Sequence, residues 1–182
     1  MSRKTDFAIL GILTHGPQSG YDIKKHISGS IGYFWQESYG QLYPALKKLV
    51  QQKLVTMRIE KNQGKPDKKV YSITEQGRNS LKNWLKEPVE SAPKIRHELL
   101  LKLFFGSETD TGRNIQHVRE YRQKCIAYLE QLKLIKNNIE EYNKNDPAST
   151  YWLITVSSGF HSIKGEIAWC DETIDILTKE LE

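Results

Sequence analysis

Apolar residues recur along this chain at more than one period, and each change of period marks a change of element. From Phe7 to Leu13 they run almost continuously and stop at Gly16-Pro17, where Gly supplies a left-handed cap and Pro forbids continuation. Ser19 stands three positions before Asp22, the spacing of a capping box, and predicts a helix from Gly20 to about Ile27 that the glycines at 29 and 32 interrupt. Leu42, Leu46, Leu49 and Val50 then follow i, i+4, i+7 and i+8, the buried stripe of a helix beginning near Gly40 with Pro44 in its first turn. Its outward positions, Gln41, Lys47, Lys48 and Gln51, are donors rather than carboxylates. The period falls to two at Val55, Met57 and Ile59, a half-buried strand. Turn residues from Asn62 to Asp67 lead into a second strand, Lys68 to Ile73. Thr74 caps a helix from Glu75 to about Lys86 with Leu81, Trp84 and Leu85 inward.

Beyond a proline-bearing connector from Glu87 to Pro93, a compact apolar helix runs from His97 to Phe105 and ends at Gly106. A long stripe follows, from Ile115 through Val118, Tyr121, Cys125, Tyr128 and Leu132 to Tyr142, and Asn143 to Pro147 ends it. In the last segment Ile163, Ile167, Cys170, Ile174 and Leu177 alternate spacings of four and three, the a/d seam of a coiled coil. One reading makes that seam a homodimer interface; the other folds the two long helices into an intramolecular hairpin.

The fold class is therefore mainly α with a small β-hairpin wing. An N-terminal winged helix-turn-helix occupies residues 1–86, and a connector with a C-terminal α-helical dimerisation domain occupies 87–182. A winged helix-turn-helix has one dominant use, holding a helix in the major groove of duplex DNA. Charge divides at the same boundary: residues 1–86 carry 15 Lys+Arg against 6 Asp+Glu, and residues 87–182 carry 12 against 16. The basic half is built to meet a polyanion, although a lysine-rich hairpin also serves simply to discourage strand pairing.

No catalytic or metal motif emerges. His15, His26, His97, His117 and His161 lack metal-ligand spacing, Cys125 and Cys170 form no CxxC, and GxSxG, P-loop and GxGxxG patterns are missing. No metal or other cofactor is expected. The two cysteines, each on an apolar stripe, read as small core residues in a reducing compartment, with a redox pair across a dimer as the alternative. With no long apolar span and no signal peptide, the expectation is a cytosolic protein without a membrane partner.

The runs AILGILTHGPQSGYDIKKHI, FWQESYGQLYPALKKLVQQKLV and KKVYSITEQGRNSLKNWL resemble the DNA-binding domain of the PadR transcriptional regulators. HELLLKLFFG and YWLITVSSGFHSIKGEIAWCDETIDIL resemble the helical C-terminal domain of the longer, virulence-activator-like subfamily. The resemblance implies a bacterial cytoplasmic homodimer that usually represses and in some members is released by a small aromatic compound; two recognition helices related by a twofold axis would read a pseudo-palindromic operator in double-stranded DNA. It also implies that the helix holding QLYPAL is the recognition helix, placing Ser38, Tyr39, Gly40, Gln41, Tyr43 and Lys47 at the DNA. Gln41 suits a bidentate pair with adenine, Lys47 a phosphate or guanine, and Gly40 a close backbone approach. Tyr43 reads alternatively as a core tyrosine. Ser19 and Tyr21 lie at a helix start that favours a phosphate, or serve as a simple cap. Lys65 and Lys68 would follow the minor groove or backbone and supply salt-dependent affinity.

Phe105, Tyr128, Trp152, His161 and Trp169 are candidates for the walls of an aromatic effector pocket, with ordinary core packing as the alternative. Two functions thus remain open: a dimeric DNA-binding regulator, and a helical interaction module whose winged helix binds protein or RNA. Donors on the outward side of the third helix favour the first.

Overall fold

A computed structural model describes residues 4–35, 38–61, 67–89 and 96–181, which fall into two compact units, Met1–Ala92 and Pro93–Glu182. In the first unit the order is α1 (Lys4–Leu13), β1 (Gln18–Ser19), α2 (Gly20–Ser30), α3 (Tyr39–Gln51), β2 (Val55–Glu60), β3 (Lys68–Ile73) and α4 (Glu75–Lys86). Ile9, Leu10, Leu13, Ile23, Ile27, Leu42, Leu46 and Leu49 interlock as a core shared by α1, α2 and α3. Phe7 stacks on Trp84 with ring centroids 4.5 Å apart, which ties α4 to α1. Gly16 takes a φ of 125°, the left-handed turn that separates α1 from β1.

The sheet has three antiparallel strands in the order β1-β3-β2. Sequence reasoning missed β1, because two residues are too few to show a period. Two expectations of burial need correction. Val55 is buried, but Met57 and Ile59 are exposed, Ile59 by 57 %, because β2 runs out past the helices that cover its base. Leu85 likewise faces solvent, while Leu81 packs on the core and Trp84 is half-buried. Two helix ends also differ. α2 runs on through Gly29 to Ser30, and α3 starts at Tyr39, so Pro44 stands in its second turn. Lacking an N–H, Pro44 leaves the Gly40 carbonyl without its ladder partner.

The second unit contains α5 (Glu98–Phe104), a short 3-10 turn (Gly106–Glu108), α6 (Thr111–Tyr142) and α7 (Ser149–Lys179). His97 and Asp110 cap α5 and α6 by accepting from the backbone N–H of Leu100 and Arg113. Arg122 meets Asp171, whereas Leu132, ten residues further along α6, lies beside Gly159, twelve residues further back along α7, so α6 and α7 form an antiparallel hairpin. Ile163 is buried and Cys170 is 0 % exposed, both within one chain. The seam expected to face a second protomer is thus turned at these positions toward α6; Ile167, Ile174 and Leu177 are half-buried, the last two against the cluster of Leu99, Val118 and Cys170.

Candidate nucleic-acid interface

The three leucines of α3 that enter the core decide what the helix shows. With Leu42, Leu46 and Leu49 all fully buried, the opposite face carries Gly40, Gln41, Tyr43, Pro44, Lys47 and Gln51, all exposed. Ser38 caps the helix with extended backbone, and both its N–H and its hydroxyl donate to Oε1 of Gln41, at 3.1 and 3.0 Å. Gln41 is therefore a capping partner as well as an outward side chain, which the sequence reading did not foresee. Its oxygen is occupied, so the expected bidentate pair with adenine is not available without breaking the cap. Lys48, grouped with the outward donors from sequence, instead donates to buried Asp6 of α1 at 2.6 Å. Lys47 stays exposed. The side chain of Tyr39 lies outside the described residues.

Tyr43 is 47 % exposed, so it is not a core tyrosine, yet its ring is not loose. A methyl group placed on Gly20 would lie 2.7 Å from its Cε1, so the bare glycine at the start of α2 lets the ring lie against that helix end. The ring thereby links the first turn of α2 to the exposed row of α3.

The start of α2 is a full capping box. Ser19 Oγ accepts from the Asp22 N–H at 3.2 Å and donates its own hydrogen to Asp22 Oδ2 at 2.7 Å. At 5 % exposure Ser19 is a buried cap, the simpler of the two roles open to it. Tyr21 is exposed beside it. Lys68 of β3 reaches the same Asp22 oxygen at 2.8 Å. The Lys68 ammonium and the Ser19 hydroxyl hold the Asp22 carboxyl below its ordinary value, and Asp22 in turn raises Lys68. No spacing rule announces this pair, since 46 positions separate its members. Lys65 lies outside the described residues, whereas Lys61 and Lys69 are exposed on the hairpin. Arg58 is engaged with Glu60 at 2.7 Å. Behind α2, His26 contacts Gln18 at 3.1 Å and lies 5.7 Å from His15; burial, then the neighbouring His15, lower its pKa.

The aromatic residues of the second unit do not gather into one pocket. Trp152 and Trp169 lie 17 residues apart on α7, which a rise of 1.5 Å per residue converts to about 25 Å. An open groove of about 590 Å³ lies between α6 and α7, with Leu153, Val156 and Phe160 in its lining beside Lys133, Lys136 and Lys164. His161 also lines it; Phe105, Tyr128, Trp152 and Trp169 do not. Trp169 instead sits edge-on to His97, 6.4 Å away, within a polar knot in which His97 meets the Tyr121 hydroxyl at 2.8 Å and that hydroxyl reaches Glu166 at 3.3 Å. Burial raises both thiols, that of Cys170 to about 11. Among the described residues no group of three or more His, Cys, Asp and Glu side chains could hold a metal ion, and no helix is long and apolar enough to cross a membrane.

Residues 9–83 match the model of the transcriptional regulator PadR-like family, and residues 95–178 match that of the virulence activator alpha C-terminal domain. The negative transcriptional regulator PadR of Bacillus subtilis is 27 % identical over 182 residues, covering 98 % of this chain and 100 % of that protein. The crystal structure of Bacillus subtilis PadR in complex with operator DNA superposes with a TM-score of 0.83 at 26 % identity, covering 96 % of this chain and 99 % of that one. The same regulator in complex with p-coumaric acid gives a TM-score of 0.76 at 25 % identity over 97 % and 99 % of the two chains. The two units thus match almost the whole length of a known regulator, and this chain belongs to the PadR-like family of transcriptional regulators, in its longer form with a virulence-activator-like C-terminal domain.

Proposed function

We propose that this protein is a cytoplasmic, dimeric repressor that binds a pseudo-palindromic operator through α3 and its wing and leaves the DNA when a small phenolic acid binds. The observation that carries this reading is the exposed row Gln41, Tyr43 and Lys47 on a helix anchored by fully buried leucines. Such a row offers donors to base edges and phosphates, where a protein-binding surface would more often be apolar or acidic. Residues 1–86 act as the DNA-binding domain and 87–182 as the dimerisation and effector domain, in keeping with the positive balance of the first part. Operator binding, repression and the phenolic effector draw support from the Bacillus subtilis relative, named a negative regulator and solved with operator DNA and with p-coumaric acid.

For the dimer contact we favour the outer side of α7. Tyr151, Ile154, Ser158, His161, Gly165, Trp169, Glu172 and Ile176 follow spacings of three and four, and all but half-buried Trp169 are exposed. Two copies joined there by a twofold axis would present two α3 helices to half-sites about one helical turn, or a multiple of it, apart.

A fluorescence-anisotropy titration of the full chain against its own upstream DNA and an unrelated duplex, at two salt concentrations and with and without p-coumaric acid, tests the reading. Preferential binding that survives higher salt, released by the acid, is the expected result. Lys47→Gln should weaken binding to both duplexes and reduce the slope of log affinity against log salt by roughly 0.9, one phosphate contact. Equal, salt-labile binding to both duplexes, or a Lys47→Gln protein that binds as before, would overturn it.

A further inference from the structure

The cap that begins α3 also dictates what Gln41 can say to a base. We propose, resting on the operator-binding reading above, that Gln41 is a donor-only reader that selects guanine and rejects cytosine at one position of each half-site. The backbone N–H of Ser38 lies 3.1 Å from Gln41 Oε1. A backbone N–H can only donate, so the amide atom facing it must be the oxygen; chemistry, rather than the fit of two similar atoms, settles the orientation. The Ser38 hydroxyl donates to the same oxygen at 3.0 Å, filling its second lone pair. Nε2 lies on the other side of the planar amide, and it carries two hydrogens and no acceptor.

In the major groove adenine shows a donor beside an acceptor, and reading both requires the amide oxygen as well as the nitrogen. Guanine shows two neighbouring acceptors, N7 and O6, which one NH2 group satisfies; thymine shows one, and cytosine shows a donor that faces Nε2 hydrogen to hydrogen. Turning the oxygen toward adenine would strip both hydrogen bonds from the cap and leave the Ser38 N–H without its partner. That loss would fall at the end of a helix already missing the bond that Pro44 cannot make. The side chain is thereby set in a single polarity before DNA arrives.

The test is enrichment of a randomised duplex pool by the full-length protein, followed by sequencing, for the natural chain, Gln41→Glu and Gln41→Ala. Glutamate keeps an oxygen for the cap and shows a second oxygen outward, so the exposed group changes from donor to acceptor while the cap stays intact. The natural chain should enrich a guanine roughly ten-fold over cytosine at one position per half-site, the size of discrimination a well-made base contact provides. Gln41→Ala should lose that preference, and Gln41→Glu should replace guanine with cytosine there at an unchanged Tm. Because enrichment compares bases within one protein, the general repulsion of DNA by an added carboxylate does not disturb the reading. An adenine at the position that responds to residue 41, or one motif common to all three proteins, would overturn the proposal while leaving operator binding in place. Failure of the natural chain to enrich any motif would overturn both.

Discussion

Asp22 joins two elements through one carboxylate. It closes the capping box of α2 through Ser19 and receives Lys68 from the wing, so the hairpin and the helix that precedes α3 share a single charged atom. Lys68 and Ser19 lower its pKa from 3.8, so the charged form is the one the fold prefers. A lowered carboxylate stabilises the folded state above its unfolded pKa, and that stabilisation is lost as pH falls through the folded value. Asp22→Asn should therefore cost about 1 kcal/mol at neutral pH, the ordinary size of a cap contribution, with little added by the solvent-screened ion pair. The difference from the natural chain should vanish well below pH 3.8, where both side chains are neutral. Urea denaturation of the two proteins across that range checks the sign; a difference that persists in acid would mean that Asp22 acts through its shape. Lys48 makes the complementary point: it sits one position from Lys47, yet it is bound to buried Asp6 and belongs to the fold rather than to the exposed row.

Elements were legible wherever a period had room to repeat. The stripe of α3 named Leu42, Leu46 and Leu49, which are all fully buried, and the Ser19–Asp22 spacing named its own capping box. The same S-x-x-Q signature at Ser38 and Gln41 stands in the sequence as well, overshadowed by the outward donors beside it. Alternation in β2 correctly gave a strand but says nothing of how far the strand outruns its cover, hence the exposed Met57 and Ile59. In the long helices, periodicity assigns a face without assigning a depth, so Trp152 and Trp169 looked like neighbours in a pocket although most of α7 separates them. It likewise could not say which helix would cover the seam at Ile163 and Cys170. Pro44 is the residue at which α3 departs most from its own pattern. Pro44→Ala would restore the hydrogen bond to the Gly40 carbonyl and remove the ring from a helix interior, offset in part by a freer unfolded chain. A gain of about 2 kcal/mol in unfolding free energy is expected, measurable by urea denaturation. A loss would mean that the first turns of α3 have adapted to the ring.

At the scale of the molecule, the proposed function requires a basic winged helix with a handful of exposed donors to hold an operator selectively. One α3 row offers few base contacts, but two rows fixed in register multiply, since the second half-site is met at the effective concentration set by the first. In the proposed dimer the contact between protomers becomes part of the DNA-binding machinery, even though the α7 stripe lies in the acidic half of the chain. The outer stripe of α7 supplies a direct test, because Ile154 is 60 % exposed and Ile176 nearly as much, and neither is needed to pack α6. Changing both to Asp should alter the stability of the single chain by no more than about 0.5 kcal/mol. Facing their counterparts across a twofold axis, however, the new carboxylates would be buried without partners, and the dimer should dissociate. Analytical ultracentrifugation should then find a folded monomer, and operator affinity should fall by about 100-fold while binding to a single half-site is unchanged. A variant that stays dimeric with full affinity would move the twofold contact to another apolar surface of the second unit, such as Leu101, Phe104 and Phe105.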